Sequence, residues 1–377
     1  VRLRRTWAVA RKEVLHVLRD PRSLGMGVAL PVFLLCLFGW ALTLDVDRVP
    51  LIVWDQSGTP ASRDLGAAFT GSRYFSLAGS AVSYAQIDEA IDRREALAAL
   101  VIPPEFGRAL SAGRPVRVQL ILDGSDANTA QIAANYAEAV VRDFSQDAVL
   151  ERVRRSGRRA PEAPLEVRAR VWFNEDLASR NFIVPGLIAV IMMVIAALLT
   201  SLTVAREWER GNMEQLISTP LKGSELVLGK LAPYFAIGML DMTIAALMGV
   251  FLFDVPLRGS LVLLFGMAAV FLLGALSLGM LFSIVTRSQL MASQLAMIMT
   301  FLPAFLLSGL MYAIANMPAP LRLVTYLIPA RYFIFLLKGI YLKGVGLEVL
   351  WLEALLLLAF GALMVTLAIR KFRKKLA

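Results

Sequence analysis

Long apolar blocks dominate this sequence, and each exceeds the ~18 residues needed to cross a bilayer core. They lie at 23–44, 183–205, 231–253, 260–285, 290–312 and 347–369. In lipid every backbone N–H and C=O must be satisfied within the chain, so spans of this kind are helices. The expected fold class is an α-helical polytopic membrane protein with six transmembrane helices. Composition agrees. Hydrophobic residues make up 58% and charged residues 18%, against roughly 45–50% and about 25% in soluble domains.

Residues 45–182 are different in kind. Short apolar runs at 51–54, 98–102 and 116–122 read as strands, and 60–70, 85–95, 104–112 and 126–155 read as helices. Asp55-Gln56-Ser57-Gly58 and Pro103-Pro104 punctuate them as turns. The alternation predicts an inserted α/β domain.

Charge sets the expected orientation. Short segments rich in Lys and Arg stay in the cytoplasm. Such segments are 1–22, the 206–230 loop, Arg287 and the tail at 370–377. Six spans place all of them inside and put both termini in the cytoplasm. The 45–182 domain then lies outside, and the host membrane is the inner membrane. Leu3, Trp7, Val14, Leu15 and Leu18 make 1–22 an amphipathic helix for the membrane surface. A cleavable signal peptide is not expected, since the charged part is too long. Residues 323–341 are apolar but carry Pro329, Arg331 and Lys338. Two central cations are costly in a full span, so 313–346 reads as one or two short re-entrant helices in the outer leaflet. The net charge of +10 is accounted for by these flanks, and no nucleic-acid partner is expected.

Catalysis has little to work with. Cys36 is the one cysteine and His16 the one histidine. A disulfide framework, a cysteine metal pair or a histidine-based metal site has no ligands within one chain. His16 reads as a polar-face helix residue. The nearest approach to a phosphate-binding loop, Gly223 to Lys230, has five intervening residues where four are needed, and Leu231 follows the lysine in place of a hydroxyl. No catalytic residue, metal or cofactor is assigned to this chain.

The most informative stretch is 206–230, REWERGNMEQLISTPLKGSELVLGK. Charged residues crowd its start, while Met213, Leu216 and Ile217 form a small apolar face on a short helix. Thr219-Pro220 ends that helix, because the residue before proline disfavours the helical region. A short charged helix with an apolar stripe at a membrane surface suits docking into a groove on another protein. A solvated loop is the alternative.

This loop resembles that of ABC-2-type exporter permeases, whose pattern R-E-x-E-x-G-x-M-E-x-L-x-x-T-P precedes E-x-x-x-G-K. The matching residues run from Arg206 and Glu207 through Thr219 and Pro220 to Glu225, Gly229 and Lys230. Further matches are Phe301 to Gly309 with Asn316-Met317-Pro318, and Lys12-Glu13 with Arg19-Asp20-Pro21-Arg22. Where many members carry threonine after the glycine, this chain has Asn212, expected to cap the helix equally well. The resemblance implies a cytosolic ABC ATPase partner that binds ATP and Mg. It makes Glu207, Glu209, Arg210, Gly211, Met213, Glu214, Leu216, Thr219 and Pro220 the coupling segment. It also implies a second permease copy or a related permease, an N-terminal connecting helix, and an external gate containing Pro329, Arg331 and Lys338. A periplasmic adaptor is a further partner open to the external domain, and membrane lipids surround the spans.

Asp241 and Gln294 are polar residues within spans. Asp241 fits either a pathway or ion-coupling role, or a protonated packing residue. Gln294 fits helix–helix bonding or the pathway. Rival functions are an ion-coupled secondary transporter and a membrane-anchored sensor or scaffold. The first wants paired intramembrane charges and an inverted repeat, and the second needs only one or two spans.

Overall fold

The computed structural model describes residues 2–20, 25–42, 48–155, 172–174 and 178–372. They divide into two compact units, residues 44–169 and the remainder. The chain opens with helix α1, Leu3–Leu18. Its buried residues are Val9, Ala10, Glu13 and Val17, whereas Leu3, Trp7, Val14 and Leu18 are exposed. The apolar stripe visible in the sequence is therefore not the packing face. The packing face is narrower and is interrupted by a carboxylate. A π turn, Gly25–Ala29, leads into α2, Leu30–Ala41. Within the described residues this apolar helix is shorter than a typical span. The ends of the block, 23–24 and 43–44, lie outside the described residues.

In the unit 44–169, strands β1 (Val49–Asp55), β2 (Phe75–Ser80), β3 (Ala98–Ile102) and β4 (Gln119–Leu122) alternate with α3 (Pro60–Thr70), α4 (Tyr84–Asp92), α5 (Phe106–Ser111) and α6 (Ala127–Arg155). The sheet order is β2-β1-β3-β4. β1 runs parallel to β2 and β3, with Leu51 opposite Ala98, and β4 is antiparallel to β3. Alternation puts Leu51 and Leu100 on one face with Leu65, Phe69 and Phe106, and Ile52 and Val101 on the other with Ile87. Thr59 caps α3 through the Ser62 N–H, and Ser83 caps α4 through the Gln86 N–H. β2 has no counterpart among the strands read from the sequence. It is an edge strand, and its sequence FSLAGS lacks a run of large apolar residues. Its register also shifts beside Leu51 and Ile52.

The other unit continues with α7 (Ser179–Glu209), α8 (Met213–Ser218) and α9 (Gly223–Leu247), which a π turn prolongs to Leu252. Then come α10 (Leu261–Thr286), α11 (Gln289–Leu307), α12 (Ala319–Val324), α13 (Pro329–Lys338) and α14 (Leu347–Lys371). Among the described residues five helices are long and apolar enough to cross a membrane: α7, α9 with its extension, α10, α11 and α14. The segments 319–327 and 329–343 meet at a bend of 84°, and the count becomes six if that pair is one span. α11 stops at Leu307, short of the expected 312, because Gly309 takes the left-handed conformation (φ 86°) that ends a helix.

α7 is the centre of the bundle, packed by α2, α9, α10, α11 and α13. A helix apolar on every side must be surrounded by protein or lipid, and α7 is surrounded by protein. Its crossing with α10 is close and hydrogen-bonded. Thr200 Oγ1 donates to the Leu276 carbonyl at 2.7 Å, and Ser283 Oγ accepts from the Val204 and Ala205 N–H groups at 3.0 and 2.8 Å.

Candidate functional site

The base of the bundle, where α7 ends and α9 begins, holds a buried ionic cluster. Lys230, on the second turn of α9, is only 2% exposed. Its ammonium donates to Glu13 Oε2 at 3.1 Å and to Glu207 Oε1 at 3.2 Å. Lys12 donates to the same Glu207 oxygen at 3.1 Å from a largely exposed position. Glu13, 4% exposed, also accepts from the Tyr234 hydroxyl at 3.3 Å. Two cations thus face two carboxylates, and the cluster ties α1 to both stems of the 206–230 loop. Burying such charges is tolerable only with this degree of pairing.

A second set of contacts extends the junction to α11. Arg206 lies 2.7 Å from His16 Nε2, 3.6 Å from Asp20 and 3.4 Å from Gln289 Oε1. Glu209 accepts from the Gln289 N–H at 2.7 Å and from its side-chain amide. The Arg287 guanidinium stacks 4.5 Å from the Trp208 ring. On the other stem, Glu225 accepts from the Lys222 N–H at 3.0 Å and the Arg2 N–H at 2.8 Å, and Arg5 donates to the Pro220 carbonyl at 2.5 Å.

Between the stems sits α8. Arg210 caps α7, and Gly211 turns the chain with φ 71°, a conformation glycine adopts without steric cost. Met213 is buried in the bundle core. Thr219 is extended (φ −73°, ψ 152°) before Pro220 and stops the helix. The side chains of Glu214 and Leu216 lie outside the described residues. One expectation fails. Asn212 has helical backbone angles and its side chain makes no capping hydrogen bond, because Gly211 already provides the turn that an extended N-cap residue would make.

α1 reaches α9 through Gly229. A Cβ there would stand 2.7 Å from Val9 Cβ and 2.9 Å from the Thr6 carbonyl oxygen. Gly229→Val is therefore expected to lift α1 from the bundle. Limited trypsin digestion should then cut at Arg11 and Lys12 in the variant and spare the parent, and equal digestion of both would refute this docking.

The remaining polar residues do not form one site. Asp241, 5% exposed, has a carboxylate oxygen, Oδ1, without a hydrogen-bond partner, and it lines small cavities with Pro31 of α2 and Met192 of α7. Gln294 lies on the exposed face of α11. Pro329 opens α13 at the bend. Arg331 folds back across it, bonding the Thr325 hydroxyl and covering the Tyr326 ring at 4.0 Å. Lys338 packs over the Phe182 ring of α7 at 3.6 Å. These last three hold the elbow to itself and to the central helix.

Glu207, Glu209 and Lys230 stand in the loop motif and Lys12-Glu13 in the N-terminal match, whereas Tyr234 and Gln289 have no such signal, and His16, expected on a polar helix face, meets Arg206. Glu13 did leave a signal, since it interrupts the Val9–Val17 stripe at helical spacing. The pattern of loop and bundle agrees with comparison to known proteins. A family model described as "ABC-2 family transporter protein" matches residues 21–370. The chain belongs to the ABC-2 transporter family. It is 38% identical to the probable multidrug ABC transporter permease YbhS of Escherichia coli K12, over 99% of this chain and 98% of that one. It is 33% identical to the probable multidrug ABC transporter permease YbhR of the same strain, over 98% and 99%. The inner membrane transport permease YhhJ of that strain is 26% identical over 87% and 86%. This ABC-2 protein is thus a membrane permease subunit and not itself an enzyme, and membership implies a partner ATPase.

Proposed function

We propose that this permease is the membrane half of an exporter driven by ATP and Mg bound in a separate cytosolic ATPase. α8 would receive the ATPase's motion. The observation that supports this most directly is the ionic junction behind α8. Any displacement of the loop pulls on Glu207 and Lys230, and through them on α1, α7 and α9. Glu209 and Arg206 carry it to α11 by way of Gln289. Force applied to one short helix therefore reaches four helices without a flexible link.

In this reading the junction, α8 and the basic C-terminus face the cytoplasm, and the unit 44–169 lies on the other side of the inner membrane, open to an adaptor. The exposed stripe of α1, flanked by Arg4 and Arg11, suits a membrane surface. A second permease copy would cover the face of α11 where Gln294 stands among exposed Met291, Met297 and Ile298, since a polar side chain in lipid gains from a partner helix. The multidrug permeases among its relatives suggest drug-like cargo.

The test is purification of the tagged chain from its native membrane. An ATPase subunit should accompany it, and Leu216→Asp should release that subunit and abolish substrate-stimulated ATP hydrolysis. Substrate efflux from vesicles holding the permease and an ion gradient, without any ATPase, would instead establish the secondary-transporter reading.

A further inference from the structure

A cleft of about 670 Å³ opens between α11 and α14, closed at one end by the elbow between α12 and α13. Its size falls within the roughly 300–1,000 Å³ of ordinary ligand sites. On α14 its wall is Leu356, Ala359, Phe360, Leu363 and Met364, one helical face. From Leu356 to Met364 is about 12 Å at the ~1.5 Å rise of a helix. Facing it on α11, the wall from Leu295 to Ala304 has a similar length. One leaflet of a bilayer core is about 15 Å deep, half of ~30 Å. The cleft is therefore a leaflet-deep apolar slot between two helices of membrane-spanning length.

Its closed end carries two polar groups among apolar ones. Tyr326 and Tyr332 line it, and tyrosines favour the level of lipid headgroups. The Arg331 guanidinium lies 4.0 Å from the Tyr326 ring, and one of its nitrogens bonds Thr325. Among the described residues Arg331 forms no ion pair, although Glu353 stands on the same end of α14. A guanidinium group with donors to spare thus sits beside the tyrosines at the closed end of a slot built for a hydrocarbon chain.

The geometry points to a binding site for one anionic bilayer phospholipid, with an acyl chain in the α11–α14 cleft and its phosphate at Arg331. The apolar walls suit a hydrocarbon body, the depth matches one leaflet, and the unpaired Arg331 suits an acidic head. This site needs only the permease and its membrane, so it stands or falls apart from the ATPase-driven reading.

The test uses the full chain, delipidated in detergent and offered equal amounts of palmitoyl-oleoyl phosphatidylglycerol and phosphatidylcholine. Native mass spectrometry then counts the lipids retained. Phosphatidylglycerol should be retained in preference, one per chain. Ala359→Trp and Met299→Trp fill the slot from exposed positions on opposite walls, and each should cut retention about tenfold. Arg331→Gln should erase the preference for phosphatidylglycerol while a lipid still binds. The site is refuted if both filled variants, folded by thermal melting, retain as much phosphatidylglycerol as the parent. It is equally refuted if the parent holds phosphatidylcholine as well as phosphatidylglycerol.

Discussion

Lys230→Met is expected to destabilise the bundle by about 3–5 kcal/mol, the cost of leaving a buried carboxylate without its partner. The substitution keeps the length of the side chain and removes its charge. Glu13 and Glu207 would then share one dry site. Lys12 can answer only Glu207, and does so from water. Tyr234 offers Glu13 a hydroxyl but no charge. The loss should appear as a large fall in melting temperature of the detergent-solubilised permease. The triple variant Glu13→Gln, Glu207→Gln, Lys230→Met should recover most of that stability, because an apolar or neutral replacement of a whole buried cluster costs little. It should not recover substrate-stimulated ATP hydrolysis, since the rigid tie between α1 and the loop is gone. A single variant that melts with the parent, or a triple variant as unstable as the single one, would remove the cluster from the account.

That cluster shows where sequence reading stops. Its members are 217 positions apart at Glu13 and Lys230, and 195 apart at Lys12 and Glu207. Periodicity and capping rules act over a few residues and cannot pair such distant groups. The loop itself was legible because its features are local. Gly211 needs a positive φ, and Thr219 precedes a proline. The long apolar helices were legible for the same kind of reason, since span length and lack of charge are properties of one segment. The edge strand β2 was not, because its FSLAGS sequence is held by pairing with β1 and not by its own alternation. The stripe of α1 expected at the membrane surface stays exposed, while the opposite face, which docks, carries Glu13, a residue that apolar patterning alone does not place inside.

The second large effect lies at the centre of the bundle, where Gly279→Val is expected to prevent recovery of folded permease. A Cβ at position 279 would overlap the Ala197 carbonyl oxygen and the Thr200 hydroxyl of α7. The obstacle is largely backbone, so no rotamer change relieves it. Separating α7 from α10 would also break the bond from Thr200 to Leu276 and those from Ser283 to Val204 and Ala205. In an apolar interior these groups find no water in exchange, and each orphaned polar group costs about 1–3 kcal/mol. Small residues at membrane helix crossings exist to permit such approach. Gly266, on the same helix, provides the control, because a Cβ there meets nothing within 4 Å. Gly266→Val should yield normal amounts of monodisperse protein by gel filtration, while Gly279→Val should aggregate or vanish. Equal recovery of the two would mean that α7 and α10 can part without loss. The central helix would then be a passenger in the bundle and no longer the element through which motion at Glu207 reaches the rest of the permease.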